Sequence, residues 1–147
     1  MRWTLLVMFM YNIFLNASAQ KMNIPEDYVW KNRIILLFAP DNDHSLSQQQ
    51  IAELESDEDG VTERDLITFQ ILPDQVTGGK NIQNTEFAQS LRSRYGVNKG
   101  EFCAILIGKD GSEKLRKNTV ITREELYGVI DAMPMRQREV REREDED

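Results

Sequence analysis

FCAILIGKDGSEKLR, residues 102–116, carries two periodicities with a turn between them. Residues 102–107 are an unbroken apolar run, as expected of a strand buried on both faces. Gly108 ends it. Asp110-Gly111 then supplies the strongest short-range hairpin signal, because Gly offers the positive φ that the turn needs. In the segment beyond, Lys114 and Arg116 fall on one face and Leu115 on the other, as in a strand with one face toward solvent. The expectation is a strand-turn-strand unit in which Gly111 is required for the turn.

Working outward, RIILLF at 33–38 reads as a first buried strand and LITFQIL at 66–72 as a second. Between them, Ser45 followed by Gln48 fits a capping box that opens a helix with Leu46, Ile51 and Leu54 inward. Residues 55–60, ESDEDG, read as an acidic loop, and 73–80 as a Gly-containing mobile loop. Thr85 is expected to cap a helix with Phe87, Ala88, Leu91 and Tyr95 on one face, stopped by Gly96. Thr122 and Glu125 form another capping box. Leu126, Val129, Ile130 and Met133 line that helix, and Pro134 ends it. Tyr28, Val29 and Trp30 are expected to pack an entry segment onto the core.

The order is β-α-β-α-β-β-α. Strands alternating with helices imply parallel pairings, and the hairpin adds one antiparallel pair. The fold class is therefore α/β: a four-stranded mixed sheet with helices on both faces, in the thioredoxin-like arrangement. Residues 136–147, RQREVREREDED, hold ten charges in twelve positions and read as a solvated helix extension or loose tail.

The chain opens MRWTLLVMFMYNIFLNASAQ, with a basic Arg2, an apolar stretch at 5–15 interrupted only by Asn12, and Ala17-Ser18-Ala19. This is the pattern of a secretory signal peptide, too short to span a bilayer comfortably. The expected organisation is a signal peptide at 1–19, a domain at 20–135 and a charged tail at 136–147. The protein should be exported, periplasmic or extracellular, without stable membrane insertion after cleavage. The net charge of −7 over 147 residues argues against a general nucleic-acid binder. A single cysteine, Cys103, allows no internal disulfide.

Several segments together resemble an uncharacterised domain-of-unknown-function family. They are Trp30-Lys31-Asn32-Arg33 with the strand that follows, and Glu63-Arg64-Asp65-Leu66. Ile107-Gly108-Lys109-Asp110-Gly111 with Lys114-Leu115-Arg116 and Ile130-Asp131-Ala132-Met133-Pro134-Met135-Arg136 complete the set. That family occurs in exported bacterial proteins. It also forms modules of animal sushi-repeat proteins and of an extracellular matrix protein with three copies. The resemblance implies a thioredoxin-like fold, an extracytoplasmic setting and, in animals, matrix or cell-surface interaction. It supplies no catalytic residue.

The fold invites redox chemistry, which would need a low-pKa cysteine at the start of the helix after the first strand. Pro40-Asp41-Asn42-Asp43-His44-Ser45 holds none, and Cys103 falls inside a strand as a small buried hydrophobe. His44 has no paired nucleophile. Counted from Asp41 or from Asp57, the calcium-loop pattern fails at its glycine and glutamate positions, and no motif asks for a cofactor. What remains is charge. Asp131 sits near a helix C-terminus, where the macrodipole disfavours an acid, so Lys114 or Arg116 is expected to offset it. Lys109, Asp110, Lys114, Arg116, Asp131 and Arg136 are the candidate binding residues. They form either an ion-pair lock or a cationic site for an anionic ligand or a protein partner. The sequence reads as an exported, non-catalytic binding module. The other reading is a redox- or peroxide-linked enzyme of the thioredoxin-like superfamily.

Overall fold

The computed structural model describes residues 26–79 and 84–146; the signal-peptide pattern lies outside them. Five strands form one sheet in the order β3-β2-β1-β4-β5. They are β1 (Arg33–Phe38), β2 (Leu66–Ile71), β3 (Val76–Gly78), β4 (Cys103–Ile107) and β5 (Glu113–Lys117). The helices are α1 (Ser45–Glu55), α2 (Glu58–Glu63), α3 (Thr85–Tyr95), α4 (Arg123–Asp131) and α5 (Pro134–Glu144). The expected strands and principal helices are present. β3 and α2 are additions, and α5 occupies the charged C-terminal run.

β1 is buried along its whole length, and its side chains divide by parity between two cores. Ile34, Leu36 and Phe38 pack with Phe87, Ala88 and Leu91 of α3. Ile35 and Leu37 pack with Leu54 of α1 and with Leu126 and Ile130 of α4. Helices therefore cover both faces, as the apolar runs require.

β1 and β2 are parallel, but β4 runs antiparallel to β1, with Phe38 opposite Cys103 and Ile34 opposite Ile107. The parallel pairing expected for this strand is thus corrected. The cause is β3, which runs back along β2 and reverses the chain before α3. α3 then delivers the chain to the Phe38 end of the sheet, and β4 can only return. β3 stands where a mobile loop was expected, pinned by the fully buried Val76. Likewise α2 begins at Glu58, inside the 55–60 stretch expected as an acidic loop. Asp57 Oδ1 accepts from the Gly60 N–H at 3.1 Å, and Glu58 and Asp59 complement the positive end of the helix.

Helix starts differ by one residue from expectation at two places. α1 is preceded by His44, which makes no side-chain cap, and α3 is capped by Asn84, whose Oδ1 accepts from Phe87 N–H. Thr122 caps α4 as expected, and Gly96 closes α3 in the left-handed region. Trp30 does not pack onto the core: it is 65% exposed and has φ +66°.

Gly111 has φ +78° with open space around it, whereas Gly78 has φ +114° and lies against strand β2. A β-carbon at Gly78 would stand 2.1 Å from the Thr68 carbonyl oxygen, which cannot move without breaking the sheet. Gly111→Val should cost about 1–3 kcal/mol in denaturant melting, from backbone strain alone. Gly78→Ala should cost more despite the smaller side chain. Equal or reversed effects would contradict this account of both turns.

Candidate functional site

The register gathers two different chemistries at the two ends of the sheet. One end holds Phe38, Ile71 and Cys103; the other holds Arg33, Leu66 and Ile107. The first is where a thioredoxin-fold enzyme places its thiol. There Cys103 is buried, and burial pushes its thiol up while the Arg116 charge pulls less strongly the other way. His44 is half-buried and stacks on Phe102, ring centroids 5.6 Å apart. Arg92 closes this end. It is 5% exposed and donates to the carbonyls of Ala39 at 2.7 Å, Ile71 at 2.9 Å and Asn98 at 2.6 Å. It thereby ties the ends of β1 and β2 together.

The opposite end is built from ions. Arg33 opens the apolar strand β1 and is 1% exposed. Its Nη1 donates to the Arg64 carbonyl at 3.0 Å and to Glu139 at 3.1 Å, and its Nη2 to the other Glu139 oxygen at 3.3 Å. Lys109, in the turn after β4, bridges Glu139 at 2.7 Å and Asp65 at 2.8 Å. A buried guanidinium is tolerable only when paired and hydrogen-bonded. Burial pushes the Glu139 carboxyl up, but hydrogen bonds from Lys109 and Arg33 and their charges more than offset this, so it lies below its usual range.

Arg136, 2% exposed, forms the second knot. It donates to the Glu63 carboxylate, to the Glu63 carbonyl at 3.1 Å and to Asp131 at 3.3 Å. Asp131 takes two further bonds from Arg64, at 3.0 and 2.7 Å. The Arg64 guanidinium also lies 3.8 Å from the Tyr127 ring centroid, in cation–π geometry. Burial raises the Asp131 carboxyl, and the bonds and charges of Arg64 and Arg136 bring it below its ordinary value.

Asp131 is therefore offset by a cation, but not by Lys114 or Arg116. Leu115 packs with the α1–α4 core, which sends its strand neighbours away from α4. Arg116 binds Glu113 at 2.9 and 2.8 Å and the Tyr95 carbonyl at the end of α3. Lys114 crosses Gly108 to reach Asp110 at 2.9 Å.

The six candidate residues thus fall into three places. Lys109, Asp110 and Lys114 line a half-open cleft of about 330 Å³, together with Met133 and Met135. Asp131 and Arg136 line a neighbouring one with Glu63 and Arg64. Arg116 stands apart. Sequence reasoning gave Arg33, Glu63, Arg64, Asp65 and Glu139 no place in the site, although the first four lie in the segments that carry the resemblance. Available signals were the one charge opening an apolar strand, and the placement of Glu139 one helical turn after Arg136. Among the described residues, no cluster of His, Cys, Asp and Glu could hold a metal ion, and no helix is long and apolar enough to cross a membrane.

Residues 24–139 match the family described as "Domain of unknown function (DUF4174)". The chain belongs to that family. No curated protein matches it. Among solved structures it is similar to a reduced Plasmodium vivax 2-Cys peroxiredoxin, at 16% identity and TM-score 0.57, over 78% of this chain and 84% of that one. Plasmodium yoelii thioredoxin peroxidase I is similar at 19% identity and TM-score 0.56, over 78% and 79% of the two chains. These likenesses establish a thioredoxin-like fold.

Two outcomes follow from the ionic end. In a double-mutant cycle, Asp131→Asn and Arg64→Ala should couple by on the order of 1 kcal/mol, while Asp131→Asn and Arg116→Ala should add independently. Coupling to Arg116 instead would overturn the assignment. The pH effect has a definite sign. Glu139 titrates lower in the folded chain than in the unfolded one, so its contribution is complete above the unfolded value. It is lost as pH falls through the folded value. Glu139→Gln should therefore flatten the acid limb of a stability–pH curve. An unchanged acid limb would contradict that coupling.

Proposed function

We propose that this protein is an exported, non-catalytic binding module. The observation that carries the proposal is the cleft at the ionic end of the sheet. Three of the residues singled out by charge, Lys109, Asp110 and Lys114, meet there beside exposed apolar surface. The partner is an anionic ligand or a protein presenting one. The state of the thiol supports the same reading: a nucleophilic cysteine needs thiolate character and access, and Cys103 is buried with its thiol pushed up. Export rests on the basic, apolar and small-residue succession at 1–19.

A redox- or peroxide-linked enzyme is the second reading, favoured by the likeness to peroxiredoxins. Insulin reduction and peroxide consumption separate the two. The purified protein should be silent in both assays, with no difference between the wild type and Cys103→Ser. Turnover that the serine variant abolishes would replace the binding module with the enzyme.

A further inference from the structure

We infer that the cleft between the 108–112 turn and the start of α5 binds a small organic acid: one carboxylate on an apolar body of a few carbons. This deepens the binding-module reading and rests on it. Four cations line the cleft, Arg33, Lys109, Lys114 and Arg138, against one carboxylate, Asp110. That is a local excess of positive charge in a chain of net charge −7.

Most of that charge is already answered. Lys109 is bound to Glu139 and Asp65, and Lys114 to Asp110. Arg33 is bound to Glu139. Arg138 is exposed and makes no ion pair among the described residues. One free cation suits a single negative charge better than a dianion.

The helix end agrees with this sign. α5 begins at Pro134, and Met133 before it offers no side-chain cap. The helix start thus carries its partial positive charge without a side-chain cap at Met133. The remaining wall is apolar. Met133 and Met135 line the cleft, and methionine adapts to apolar bodies of varied shape. A volume of about 330 Å³ is near the lower limit of small-molecule sites, which restricts the body to a few carbons.

The test is an NMR titration of the folded, isotope-labelled protein with four probes: hexanoate, 1-hexanol, hexylamine and inorganic phosphate. Hexanoate should shift the amides of Lys109, Met135 and their neighbours at millimolar concentration. The other three should bind about tenfold more weakly or not at all. Arg138→Gln removes an exposed, unpartnered charge and should leave the fold intact while weakening hexanoate about threefold to tenfold. Raised salt should weaken it further. Several results would overturn the site: no hexanoate shift at the cleft, equal binding of hexanol or of bare phosphate, or an Arg138→Gln variant that binds as wild type does. Redox turnover through Cys103 would overturn the non-catalytic reading and leave a measured hexanoate site standing. Silence in the redox assays without hexanoate binding would remove this site alone.

Discussion

Arg33 is the constraint from which the architecture of one end of the molecule follows. A guanidinium at the head of a fully buried strand cannot stay charged there without acceptors. The chain brings Glu139 to it from more than a hundred residues away, and the Arg64 carbonyl from the end of α2. Glu139 must then be presented by an ordered helix, which makes α5 part of the domain. Lys109 completes the arrangement from the β4–β5 turn, so four separate elements converge on one buried charge.

Such an arrangement adds more to specificity of placement than to net stability. Desolvating several ions offsets most of their mutual attraction, whereas losing one partner leaves a charge stranded. The ionic end therefore fixes where α5 and the β4–β5 turn stand relative to the sheet, and the cleft between them inherits that definition. At the other end, the hydrogen bonds of Arg92 go to backbone carbonyls. One end of the fold is tied by main-chain acceptors and the other by carboxylates and carbonyls together.

Local chemistry in the sequence was enough to place β1, β2, β4, β5 and helices α1, α3 and α4. The parity of RIILLF, the Asp110-Gly111 turn and the Thr122 cap are signals spanning a few residues each. What the sequence hid depends on distance. β4 runs antiparallel because a three-residue strand reverses the chain, and VTG carries little strand signal of its own. The acid run at 57–59 reads as a loop until Asp57 is seen turning back onto Gly60. The offset of Asp131 by a cation was legible from the helix dipole. The identity of that cation was not, since Arg64 lies 67 positions away. Arg136 was placed at the start of a tail, because a charge-dense helix gives no sign that one arginine will be buried.

The composition of α5 has a consequence for how the molecule opens. Arg136 is its buried residue, and the helix is held by ion pairs to Asp65, Glu63, Asp131, Arg33 and Lys109 and by hydrogen bonds to the Glu63 carbonyl. The core strands instead share apolar contacts across both faces, so they unfold together or not at all. A helix held this way forms its own cooperative unit, with an opening free energy below that of the sheet. Amide exchange along the chain is then graded, slowest in β1 and β4 and faster from Pro134 onward. Each opening of that unit exposes the head of β1 to water while the sheet stays closed.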